Sequence, residues 1–169
     1  ILLGDDLSGF VKTNGFWSPY PSGANEIIRG IAPPDFPHSN WMGYSTVASD
    51  LIKRYWEITL NGGHGVWWWR WSNVGKFIGL LRPDYALFDE VSEMLEDTRI
   101  TREGLGDLLL HSARVTDGIC IAFSRPSIYA TQTTGSAYEV NEHWQSTLYR
   151  IGRGFGYTTD DLIRSNGIP

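Results

Sequence analysis

Four of the chain's eight tryptophans fall in one pentapeptide, Trp67-Trp68-Trp69-Arg70-Trp71. Indole rings at that density either fill a large aromatic core or form a surface that stacks on flat ligands, and the sequence leaves both uses open. Strand alternation would put Trp67, Trp69 and Trp71 on one face and Trp68 on the other. Carboxylates are the second chemical resource. Asp5 and Asp6 follow the apolar residues 1–3, the pattern of a buried strand whose carboxyl end delivers acids into a loop. Glu26 stands at the start of residues 27–31, a short candidate strand. The remaining reactive types form no constellation. His38, His111 and His143 have no partner at metal-ligand spacing, and His64 reads as a hydrogen-bonding loop residue, so no metal is expected. Cys120, the single cysteine, sits in the apolar run 118–123 and reads as a small buried apolar residue rather than an activated thiolate. The glycines of residues 152–156 follow a helix rather than a strand, which removes the dinucleotide-loop reading. Residues 124–136 lack a phosphate-cradling pattern, which argues against a flavin-binding domain. No cofactor is expected.

These residues need a scaffold, and 169 residues with 41% apolar and 14% aromatic content can bury a sizeable core. A net charge of −5 supplies no electropositive footprint for nucleic acid. No apolar stretch approaches the roughly 18 residues of a membrane span, and the start carries no signal-peptide pattern. The chain therefore reads as soluble, with the compartment open and the cytoplasm slightly favoured. Residues 45–60 read as a helix, capped by Ser45 or Thr46, carrying Val47, Leu51, Tyr55 and Ile58 at helical spacing and stopped by Asn61-Gly62-Gly63. Residues 64–71 then read as a strand covered on both faces. A helical region starts at Asp84 and resumes over 105–110. Residues 118–123 form another buried strand, 124–136 a loop, and 138–153 an amphipathic helix with Val140, Trp144, Leu148 and Ile151. Thr158 or Thr159 caps a short closing segment. Helix, glycine turn and buried strand in succession is α/β syntax. The opening Ile1 and closing Ile168-Pro169 give the chain the look of a portion of something longer.

The stretch from Tyr55 to Gly79 carries a specific likeness. A helix ending in Asn61-Gly62-Gly63-His64-Gly65, an aromatic strand, Arg70-Trp71, and then Gly75-Lys76-Phe77-Ile78-Gly79 resembles the last strand and following loop of the catalytic barrel in family 42 glycoside hydrolases, the β-galactosidase group. Downstream, Asp89-Glu90-Val91, Ala113-Arg114-Val115, the run into Phe123-Ser124, and Leu148-Tyr149-Arg150 through Gly156-Tyr157 are similar to that family's linker helices and the opening of its trimerisation domain. The likeness spans residues 46–162. It implies an α/β fold in which residues 1–112 are the C-terminal part of a (β/α)8 TIM barrel and residues 113–169 begin a Rossmann-like or flavodoxin-like domain. It further implies retaining hydrolysis of O-glycosidic bonds, a carbohydrate substrate and a homotrimeric parent protein.

In such barrels chemistry sits at the carboxyl ends of the strands, so Trp69, Arg70 and Trp71 fall where a ligand would be met. An indole beneath a sugar excludes water from the ring's C–H face while nearby polar groups fix the hydroxyls. Trp71 matches the family's terminal tryptophan and Trp41 its loop tryptophan. Where the family carries a glutamate and a histidine against galactose hydroxyls, this chain has Gly75 and Ile78, and Ser72 stands where an arginine follows the tryptophan, which weakens the galactose expectation. The family's acid/base lies on an earlier strand outside these residues. Its nucleophile is matched best in spacing by Glu26 and best in strand-end context by Asp5 or Asp6. The alternatives are that the chain holds no nucleophile, or that it is a non-catalytic sugar-binding or assembly module stacking sugars on Trp71.

Overall fold

The computed structural model describes residues 6–20, 23–71, 79–131 and 136–167. Its elements in chain order are α1 (Leu7–Thr13), α2 (Ala24–Ile31), β1 (Ser39–Met42), α3 (Ala48–Leu60), β2 (Gly65–Trp68), α4 (Asp89–Asp97), α5 (Gly106–Leu110), β3 (Ile119–Phe123), α6 (Arg125–Ala130), α7 (Ser136–Arg150), β4 (Phe155–Thr159) and α8 (Asp160–Asn166). The fold is mixed α/β, about half helical, with two small parallel sheets. Two units divide these elements. One takes in the described residues of Ile1–Trp17, Ser22–Phe36 and Arg114–Pro169, the other those of Ser18–Pro21 and Pro37–Ala113.

The second unit is built on β1–α3–β2. Parallel strands cannot be joined by a tight turn, so a helix carries the chain back, and α3 does so here. Leu51 and Ile58 of α3 are buried, and Leu51 meets Met42 of β1 and Met94 of α4, with Val66 and Trp68 of β2 packed beside them. The helix begins one or two residues later than its polar caps suggest. Val47 occupies the cap position without a side-chain bond, while Ser45 Oγ accepts from the Val47 amide and donates to Asp50. Residues 64–71 are not covered on both sides: Trp67 is 53% exposed, and the strand ends at Trp68. The downstream helix starts at Asp89 rather than Asp84, because Asp84 binds Arg82 and the Ala86 amide in a turn that also holds Tyr85 at φ 65°. Gly104, at φ 128°, interrupts the helical path between α4 and α5.

The first unit pairs β3 with β4, also parallel, with Ile121 opposite Tyr157. The chain crosses between them through α6 and α7. Three sequence expectations change here. Residues 27–31 are helical rather than extended: Ala24, Ile27, Ile28 and Ile31 follow i, i+3, i+4, i+7 spacing, and short apolar runs are ambiguous between the two periods. Residues 125–130 form α6 within the expected loop, with Ser124 accepting from the Ser127 amide and Pro126 in the first turn. Residues 155–159 form β4, which glycines at 154 and 156 disguise as a helix stop, and Thr159 ends it by capping α8 through a bond from the Leu162 amide. The core joins Ile27 and Ile28 of α2, Ile121 and Phe123 of β3, Leu148 of α7, and Phe155 and Tyr157 of β4.

Gly30 is the point where α2 meets β4. A Cβ built there would lie 2.5 Å from the Tyr157 carbonyl oxygen and 2.7 Å from its amide nitrogen, both backbone atoms that cannot step aside. Alanine at an ordinary helix position gains up to about 1 kcal/mol over glycine. Gly30→Ala should reverse that sign and destabilise the unit by about 1–3 kcal/mol, because helix and strand must separate. Chemical denaturation followed by far-ultraviolet circular dichroism measures the difference, and a neutral or stabilised variant would show that α2 does not press on β4.

Candidate functional site

Period-two pleating divides the aromatic residues of the β1–α3–β2 unit. Register places Trp41 opposite Trp67 and Met42 opposite Trp68. Met42 and Trp68 join the core beneath α3, whereas Trp41 and Trp67 approach each other on the other face, ring centroids 6.2 Å apart. Hydrogen bonds fix both indoles: Trp67 Nε1 donates to Ser39 Oγ at 2.6 Å, and Trp41 Nε1 donates to the Ser18 carbonyl at 3.0 Å.

Just past the carboxyl ends of β1 and β2 lies a cleft of about 670 Å³, bounded by aromatic residues at the strand ends and by α3. Gly43 makes the turn at φ 104°, and a Cβ there would stand 2.8 Å from the Trp68 ring, so this position accepts only glycine without rearrangement. Tyr44, which follows, lies nearly parallel to Trp69, at 6.3 Å and 19°. Tyr20 meets Tyr44 and Trp69 edge-on at 5.6 and 6.2 Å, and Trp41 meets Trp69 edge-on at 6.0 Å. The first turns of α3 supply a polar wall of Asp50, Lys53, Arg54 and Glu57. Glu57 pairs with Arg54 at 3.0 Å and with Lys53 at 3.8 Å.

Loss of hydration raises the Tyr44 hydroxyl well above the ordinary tyrosine range, and its hydrogen bond with Tyr20 adds to this, while the charge of Arg70 acts in the opposite sense. The phenol therefore stays protonated at neutral pH and can both donate and accept. Arg70 holds φ 77°, a left-handed conformation that costs a non-glycine residue about 1 kcal/mol or more.

The residues singled out from the sequence end in different places. Trp41 and Trp69 line the cleft, and Arg70 lies close enough to influence the Tyr44 hydroxyl. Trp71 is 69% exposed and is not one of the described residues that line the cleft. Tyr20 and Tyr44 are its unforeseen members. Their signals are weak: a tyrosine between two prolines, and one directly after the glycine that ends an unrecognised strand.

The candidate acids lie in the other unit. Asp6 caps α1 by accepting from the Gly9 amide at 2.9 Å and pairs with Arg125 at 2.7 Å. That backbone hydrogen bond, opposed by slight burial and aided by the Arg125 bond and charge, holds its carboxyl below the usual range. Asp5 lies outside the described residues, as do residues 1–3 and the loop positions Ser72, Gly75 and Ile78. Glu26 is on α2, 6% exposed, with Oε1 bound to Arg29 at 2.5 Å and Oε2 to Arg114. Burial pushes its carboxyl upward, but the charges of Arg29 and Arg114 and hydrogen bonds from Arg114 and Tyr149 overcome this and leave it below the ordinary glutamate value. Both of its oxygens are thus engaged by arginines. Cys120, read from the sequence as buried, is exposed.

Among the described residues no group of three or more histidine, cysteine, aspartate or glutamate side chains could hold a metal ion. Nor is any described helix long and apolar enough to cross a membrane. No known protein-family pattern, curated protein or solved structure matches the chain.

Proposed function

We propose that the chain is a sugar-recognising portion of a β-galactosidase-like glycoside hydrolase. In this reading β1–α3–β2 belongs to a (β/α)8 barrel, and β3–α6–α7–β4 opens a Rossmann-like or flavodoxin-like assembly domain. One observation carries it. Tyr20, Trp41, Tyr44 and Trp69 surround a cleft just past the carboxyl ends of two parallel strands, where α/β folds bind their ligands. Aromatic faces suit the C–H surfaces of a pyranose, and the neutral Tyr44 hydroxyl with the α3 side chains can hydrogen-bond its hydroxyls.

A binding role without hydrolysis by this chain is supported by a second observation. Retaining hydrolysis needs two carboxyl groups about 5–5.5 Å apart. Asp50 and Glu57, the two acids among the described cleft residues, stand two helical turns apart on α3, about 10 Å along its axis. Glu57 is also held by two cations.

Isothermal titration with lactose and cellobiose, run beside an assay of aryl β-glucoside and β-galactoside hydrolysis, tests both statements. Saturable binding of at least one disaccharide without turnover is expected. Absence of binding to either would contradict the sugar cleft, and robust turnover would contradict a purely binding role.

A further inference from the structure

The first unit holds a second cavity, of about 520 Å³, within the range of small-molecule sites. Its walls combine two kinds of surface. Ile119, Phe155, Tyr157 and Leu162 contribute apolar area, and the Glu26–Arg29–Arg114 network forms a polar end. Arg114 is clamped there: its guanidinium lies over the Phe155 ring at 5.3 Å and the Tyr149 ring at 5.9 Å while bonding to Glu26. Two guanidinium groups face one carboxylate, so the described residues of this wall carry a formal charge of +1. The state is permanent near neutral pH, since Glu26 is held ionised and arginine does not deprotonate. A half-desolvated positive wall beside apolar surface attracts a single negative charge attached to an apolar body, because arginine forks match carboxylates in geometry as well as charge.

We propose that this cavity binds a small organic monocarboxylate, its carboxylate against Arg114 and its apolar body between β4 and α8. The proposal is independent of the sugar cleft, which lies in the other unit.

The chain's single cysteine provides the test. Cys120 lines this cavity, is exposed, and is the register partner of Gly156 across β3 and β4. Alkylation of Cys120 by iodoacetamide at pH 8.5 is followed in the whole chain with benzoate as probe and benzyl alcohol as its uncharged counterpart. At ten times its dissociation constant benzoate should slow alkylation about tenfold, while benzyl alcohol at the same concentration leaves the rate nearly unchanged. Gly156 lines the cavity, a Cβ there meets nothing within 4 Å, and valine suits a strand, so Gly156→Val should put bulk into the cavity beside Cys120 at little cost to the unit. In that variant, confirmed folded by circular dichroism, the rate ratio with and without benzoate should fall to about one. The proposal is overturned if benzoate gives no protection, if benzyl alcohol protects equally, or if Gly156→Val keeps the protection.

Discussion

Replacing Glu26 with glutamine should lower the stability of its unit by about 3–5 kcal/mol, a larger loss than Gly30→Ala should cause in the same unit. The carboxylate is 6% exposed and neutralises Arg29 and Arg114 together. Glutamine keeps the volume but leaves two desolvated guanidinium groups facing a neutral amide. At roughly 4–8 °C per kcal/mol for a unit of this size, the melting temperature should fall by about 20 °C. The effect also has a pH signature. Glu26 has a depressed carboxyl pKa in the fold, so its stabilisation is complete above the unfolded value of about 4.3 and disappears as pH falls through the lower folded value. The gap between native and Glu26→Gln melting temperatures should therefore be widest near pH 7 and narrow as pH falls below the unfolded value of about 4.3 toward the lower folded one. A matched apolar replacement of Glu26, Arg29 and Arg114 together should recover much of the loss, since buried ion networks exchange well for packed hydrophobic side chains. A Glu26→Gln protein that melts like the native one at pH 7 would show that the network does not hold the unit together.

The second large effect concerns Trp69, the ring shared by every aromatic contact of the cleft except Tyr20–Tyr44 and Trp41–Trp67. At 40% exposure it combines an anchored edge with an open indole surface. Covering about 60–80 Å² of apolar area at roughly 25 cal/mol per Å² gives about 1.5–2 kcal/mol. Trp69→Ala should therefore weaken disaccharide binding about 10- to 30-fold by titration calorimetry. Trp56→Phe is the natural control, since its indole is bonded to Asp97 on α4 and lines no part of the cleft. Its affinity for disaccharide should match that of the native chain.

Much of the scaffold can be read from residue patterns alone, for local reasons. Leu51, Tyr55 and Ile58 repeat at helical spacing before a glycine stop, so α3 declares itself, and the apolar run at 119–123 declares β3. Elements escape when their signal is divided. β1 is four residues, Ser-Asn-Trp-Met, with only two apolar members, and it exists because β2 and α3 give it partners. β4 hides behind Gly154 and Gly156. Gly154 is needed where a Cβ would fall 2.3 Å from the Val115 carbonyl oxygen, an approach that only the folded chain reveals.

The cleft is half legible. Trp41 and Trp69 stand out by type, but Tyr20 and Tyr44 join them only through the turn at Gly43 and the path of residues 18–20 beside β1. Glu26 shows the opposite limit. Its acid type and spacing point toward catalysis, yet its environment is set by Arg29 together with Arg114, and Arg114 lies 88 residues away, where no local pattern connects it to Glu26.

On the proposed reading, the aromatic cleft of the β1–α3–β2 unit receives a sugar. Each of the eight tryptophans carries one indole N–H, so a two-dimensional nitrogen–proton spectrum reads them separately during a lactose or cellobiose titration. The signals of Trp41 and Trp69 should shift progressively and saturate together, while Trp56 on the far part of α3 and Trp144 on α7 stay fixed. Shifts confined to other tryptophans, or none in Trp41 and Trp69 at saturating disaccharide, would contradict the account.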